Sequence, residues 1–212
     1  MIERDYIMRM IAMLTVVIAK VLNLKETKEY PTALREIDRG LRSLLGLDGS
    51  GLDAFTESQL VEMFGKDPDL APVRWYALGV LLMEREELLD REGRETSGNG
   101  AARALRMLLE SFLSIGAEVE PGHRARITAI LEGRAGAALP ESTLLKLAEF
   151  HEFAGAFANA EDVYYELAER APQSSGKLLQ FYNRLLSRSD SELAAGNLPR
   201  SEVLEGIGKL RG

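Results

Sequence analysis

Residues 147–172 read LAEFHEFAGAFANAEDVYYELAERAP. Everything in this stretch favours helix except Gly155, and a glycine inside a helix costs about 1 kcal/mol relative to alanine. Gly155 is therefore read as a turn residue in the left-handed region, closing one helix so that the next begins at Phe157. Ala148 and Ala160 then face each other, where two antiparallel helices need small side chains to approach closely. Phe157 and Tyr164 fill the flanks. The stretch predicts an antiparallel pair over 142–154 and 157–171.

Outward from this pair, the same reasoning finds helices almost everywhere and no lasting alternation of apolar and polar residues that would mark a strand. A first helix is expected over 5–24. A second starts near Tyr30, with Pro31 in its first turn and Ala33, Leu34, Ile37, Leu41 and Leu44 forming an apolar stripe. Thr56-Glu57-Ser58-Gln59 opens a short helix after the glycine-rich GLDGSGLDAF. Helices over 73–91 and 101–115 flank the polar insert DREGRETSGNG, and Pro121 starts another, running to about Arg134. Two more are expected over 177–187 and from Pro199 onward. Helices joined by short turns pack on one another. The fold class is all-α, one domain over 1–212, in which 1–48 is an N-terminal helix pair and 173–212 holds capping helices.

The chain has 212 residues, no cysteine and a net charge of −7. Without thiols it forms no disulfide and no thiolate metal site, and a reducing cytoplasm is the expected setting. Residues 1–48 hold eight Lys/Arg and seven Asp/Glu, and the remainder holds 18 and 26. So acidic a body repels phosphate backbones, and no nucleic-acid partner is expected. Between Arg9 and Lys20 lie ten uncharged residues, about half of a bilayer span, and the acidic Glu3 and Asp5 oppose a signal peptide. No membrane partner is expected either.

A second segment shares the pattern of the first. In VRWYALGVLL (73–82), Trp75, Leu78 and Gly79 match the W-x-x-L-G of tetratricopeptide repeats, whose period is near 34 residues. In the opening stretch Leu147 and Ala148 take the Leu-Gly places, His151 stands at an aromatic position, and Gly155, Phe157, Ala160, Tyr164 and Pro172 follow at the second-helix spacing. The region 73–172 thus resembles degenerate tetratricopeptide repeats, packed as a right-handed superhelix or as an irregular bundle. Tyr30, Ala33 and Ile37 resemble a further half-repeat. The chain is also similar to an uncharacterised bacterial family whose members begin with an Asp-Tyr-Ile-Met segment, here Asp5 to Met8.

The repeat resemblance implies a non-enzymatic scaffold that holds a protein or peptide in a groove lined by first helices. Carried over by position, the groove residues are Tyr76, Val80 and Met83 in one pair, and Leu145, Glu149, Glu152 and Phe153 in the other. The Lys/Arg/Asn set with which some such repeats clamp a terminal carboxylate is missing, so apolar or basic segments are the expected guests. An all-α enzyme with acidic groove residues, or a purely structural subunit, are the alternatives.

Motifs for chemistry are sparse, and no cofactor is implied. SSGKLLQ lacks the leading glycine and the Ser/Thr of a phosphate loop. LDGSGLDAF puts Leu52 at a calcium-ligand place. Of the two histidines, His123 in PGHR is expected at the surface, and His151 is expected to stand in for an aromatic side chain. The N-terminal helix is apolar beyond one stripe. Ile7, Ile11, Leu14, Ile18 and Val21 make the face expected to pack on the second helix, leaving Met10, Met13 and Val17 for another cover. Either the C-terminal helix, with Val203, Leu204 and Ile207, or a second copy of the chain would supply it.

Overall fold

The computed structural model describes residues 2–94, 99–133 and 138–211. Among these residues there are no strands, and the helices follow one another as α1 (Ile2–Glu26), α2 (Tyr30–Leu45), α3 (Gly49–Asp53), α4 (Glu57–Phe64), α5 (Ala71–Arg91), α6 (Gly100–Ile115), α7 (His123–Gly133), α8 (Glu141–Phe153), α9 (Phe157–Arg170), α10 (Ser175–Leu185), α11 (Asp190–Ala195) and α12 (Arg200–Arg211). A single 3-10 turn, Pro172–Ser174, links α9 to α10. The all-α reading holds. Where the sequence is read as one domain, the chain divides into two compact units, 1–137 and 138–212. Parts of the polar insert (95–98) and of the loop GRAGAALP (134–137) lie outside the described residues.

In the first unit α5 is the central element, and it is buried on nearly every side. It runs antiparallel to α6: Ser111 donates to the Pro72 carbonyl at one end, Gly79 meets Leu108 midway, and Gly100 lies against Glu86 at the other. Gly79 is what lets the two axes close up. A Cβ there would fall 2.8 Å from Leu108 Cγ and 3.1 Å from the Ala104 carbonyl oxygen. Trp75 instead faces α4, and its indole N–H donates to the Val61 carbonyl. Thr56 and Gln59 close a reciprocal capping box at the start of α4. The glycine-rich segment before it forms the short α3, capped by Asp48, and Asp53 at its end pairs with Arg85 and Arg103. That is a helix turn held by ion pairs.

The α1–α2 hairpin packs on α5. The α1 core face is Met10, Leu14, Ile18, Val21 and Leu24, with Val17 against Gly40 of α2. This corrects the expected partition. Met10 is 3% exposed and belongs to the core, Val17 is half-buried, and of the three residues assigned outward only Met13 is exposed. A helix apolar around most of its circumference offers several stripes at the 3.6-residue period, and only the docked helices choose one. Deep beside α5, Lys25 bridges Glu84 at 2.9 Å and Glu87 at 2.6 Å. Burial opposes its charge, but hydrogen bonds to Glu87 and Glu84 outweigh that and hold its pKa above the usual lysine value.

The second unit begins with the predicted pair. Gly155 has φ +73°, the left-handed turn read from the sequence, and Ala148 and Ala160 are fully buried between α8 and α9. Then α10 packs on α9 and α12 on α10, with Gly206 against the Tyr182 ring. Val203 and Ile207 are thus buried within this unit. Helix α11, missing from the sequence reading, starts with a Ser189/Glu192 capping box that the S-x-x-E pattern announces.

Trp75 is the sole tryptophan, so its fluorescence reports the first unit while helical ellipticity reports both. Lys25→Met leaves Glu84, 3% exposed, without its countercharge, and should destabilise the first unit by about 3–5 kcal/mol in urea titrations read by fluorescence. Lys25→Met with Glu84→Met should recover most of that. Gly155→Val forces a β-branched residue to positive φ and should cost over about 1 kcal/mol in the second unit. The ellipticity transition should shift accordingly.

Candidate functional site

The polar cluster of the first unit is built where the turn after α6 folds back over α5. The His123 N–H bonds the Glu120 carbonyl, so α7 starts only at His123, two residues after the expected Pro121. This turn drives the imidazole inward. His123 is fully buried, contrary to the surface position expected from PGHR. The Val119 N–H donates to Nδ1 at 3.4 Å, which leaves the Nε2 proton for the Leu108 carbonyl at 3.0 Å. Tyr76 and Phe112 meet the ring edge-on at 4.7 and 5.7 Å. Burial pushes this histidine down to about 4, against the Leu108 carbonyl and the Glu118 charge, so it is neutral at pH 7. Its role is to tie α6 to the turn.

Tyr76 extends the cluster toward the surface. Its hydroxyl donates to Glu120 at 3.0 Å, and the Arg126 guanidinium lies at the same hydroxyl. Burial, reinforced by Glu120 and opposed by Arg126, raises the phenol to about 12. The Thr15 hydroxyl, which donates to the Ile11 carbonyl at 2.9 Å, lies 3.4 Å from the other Glu120 oxygen. Arg126 Nε is buried without a hydrogen-bond partner. Glu120 and Arg126 form one wall of a cavity of about 170 Å³ whose remaining lining is Leu14, Thr15, Ile18, Ala19 and Leu22 of α1, with Val80 of α5. It is a side-chain-sized socket with an apolar floor and one charged wall. Of the exposed apolar residues of α1, Leu22 lines it.

Of the groove residues expected in this unit, Tyr76 and Val80 are 0% and 1% exposed. They sit in the core, because α1 and the α6–α7 turn cover the face that an open repeat would present. Val80 floors the socket, and Met83 lines a separate cavity of about 420 Å³ with Glu86, Glu87 and Asp90. Glu87 there is tied to Lys25 and Arg91. In the second unit Glu149 pairs with Lys146, and Leu145 is half-buried. Glu152 receives a bidentate pair from Arg184 at 2.6 and 2.7 Å, so its charge is neutralised rather than turned on a guest. Phe153, 52% exposed, ends α8. His151 is half-buried edge-on to Phe150, and burial alone lowers its pKa. Among the described residues no group of three or more His, Asp or Glu side chains is placed to hold a metal ion. Sequence reading missed Glu120 and Arg126, for no period or motif sets them apart from other surface charges.

The chain belongs to the family of unknown function DUF6483, whose sequence model matches residues 1–212. No curated protein and no solved structure matches it.

His123 gives the fold a defined response to acid. Its folded pKa, about 4, lies below the unfolded value of about 6.5, so between them the unfolded chain binds a proton that the folded chain refuses. That stability contribution is complete above pH 6.5 and is lost as pH falls toward 4, by an amount on the order of 3 kcal/mol. His123→Phe should be less stable at pH 7, with two hydrogen bonds gone, yet show a flatter dependence of melting temperature over pH 4–6.5. Parallel pH profiles for the two proteins would refute the assignment.

Proposed function

For this member of a family of unknown function, we propose a non-enzymatic role as a helical scaffold that binds a protein or peptide partner. The observation that carries the reading is the exposed apolar surface of α1. Of the eleven large hydrophobic residues exposed among the described residues, five lie on this helix: Tyr6, Met8, Met13, Val16 and Leu22. Exposed apolar side chains gathered on one element mark an interaction surface more often than singly scattered ones do. The socket that one of them, Leu22, lines is of the kind that takes an apolar anchor from a partner, with Glu120 and Arg126 to orient its polar neighbours.

The antiparallel pairs closed by Gly79 and Gly155 support a tetratricopeptide-like ancestry for the scaffold. The guest surface in this reading has moved from the usual concave face, filled here by core residues, to the N-terminal helix. An enzymatic role is less favoured, because His123 has both ring nitrogens engaged and the Tyr76 phenol stays protonated at neutral pH. We assign the protein to the cytoplasm on its lack of cysteine.

A photo-reactive amino acid placed at Met8 or at Val16 in cells should yield discrete protein adducts. The same group at Glu169, exposed on α9, should yield few. Equal or absent labelling at all three positions would sink the reading.

A further inference from the structure

We propose that the occupant of the α1 face is a second copy of this chain, packed antiparallel about Thr15 with its Met8 seated in the socket. The inference rests on the reading of α1 as an interaction surface and names the partner. Met8, Thr15 and Leu22 are exposed and recur at seven-residue steps, the spacing of a seam between paired helices, with the small exposed Ala12 and Ala19 between them. Arg4 lies one turn before Met8 and Glu26 one turn after Leu22, both exposed on the same stripe.

That placement selects both partner and direction. In a parallel pair each Arg4 would meet Arg4 and each Glu26 would meet Glu26. In an antiparallel pair centred on Thr15, residue i faces residue 30−i, so Arg4 faces Glu26 of the second copy and Met8 faces its Leu22. A twofold axis repeats both matches, as an isologous contact requires. Leu22 lines the socket with Ala19 and Val80, so Met8 of the second copy arrives at its mouth, and an unbranched thioether adapts to an irregular pocket. Long-range charge agrees. Residues 1–48 are nearly neutral, with eight basic and seven acidic residues, whereas the rest holds 18 and 26, so two copies meet with least repulsion through this hairpin. One helix face is smaller than the ~800 Å² per partner of a standard interface, so a weak, reversible association is expected.

Sedimentation equilibrium of the full chain at ~5–200 µM tests this. A reversible dimer is expected, and Met8→Glu should abolish it across that range. Arg4→Glu and Glu26→Arg should each weaken it about tenfold, and the double variant Arg4→Glu/Glu26→Arg should restore it. A monomer at 200 µM, a dimer indifferent to Met8→Glu, or singles that weaken without rescue in the double variant would each overturn the proposal. Co-sedimentation with vesicles containing anionic lipid is the second arm. Vesicle binding by a monomer that is lost in Met8→Glu would assign the face to a lipid surface and refute the dimer. If the chain is monomeric while photo-crosslinks at Met8 still capture a different protein, the interaction reading stands and only the second copy falls.

Discussion

The first unit depends on how closely α5 and α6 approach. Gly79 carries no Cβ, and the space one would fill is taken by Leu108. Leu78, Val80, Leu81 and Leu82 on one helix and Ala104, Leu105, Leu108 and Leu109 on the other are then removed from water together. With α6 on one side, α1 and α2 on others and α4 at its start, α5 is left with almost no solvent face. A first helix of an open repeat array would keep one side free for a guest. Here that side is spent on the hairpin from the N-terminus, which is why Tyr76 and Val80 are core and why a binding surface must be sought further out.

Burying a helix on all sides brings polar groups inward, and Lys25, His123 and Tyr76 each find a partner there. Lys25 crosses from α1 to the two glutamates of α5, so the N-terminal helix is held by charge as well as by apolar contact. His123 closes the turn after α6 by accepting from one backbone group and donating to another. Neutral imidazole suits that role, because it offers one donor and one acceptor where two donors would leave the Val119 N–H unmet. Tyr76 carries the chain of contacts outward to Glu120, and Glu120 to Thr15 on α1. The socket at the end of this chain is therefore walled by residues whose positions are set in the core.

The second unit solves the same packing problem with different means. Alanines at 148 and 160 play the part of Gly79, and the turn at Gly155 replaces a longer connection. Its polar contacts run between side chains of successive helices: Arg184 of α10 grips Glu152 of α8 and the Tyr164 hydroxyl of α9. Glu161, whose pKa burial raises, takes the Tyr182 hydroxyl beside the close contact at Gly206. These contacts consume the acidic groups that a groove would otherwise present.

Local chemistry in the sequence was enough for the helices and for several of their ends. Pro31, the Thr56/Gln59 box and Gly155 each act through their own backbone or a neighbour three residues away, so their reading needs no tertiary information. The Ala148/Ala160 contact was also legible, because antiparallel packing across a short turn leaves little freedom in which faces meet. Tertiary structure alone decided the rest. The side of α1 that is buried and the inward turn of His123 depend on packing between helices, and Thr15 meets Glu120 from 105 positions away, where periodicity carries no signal. A helix with apolar residues around most of its circumference can dock by several stripes of similar free energy. Only the shape of α2 and α5 selects among them, and that selection leaves Met8, Val16 and Leu22 facing outward.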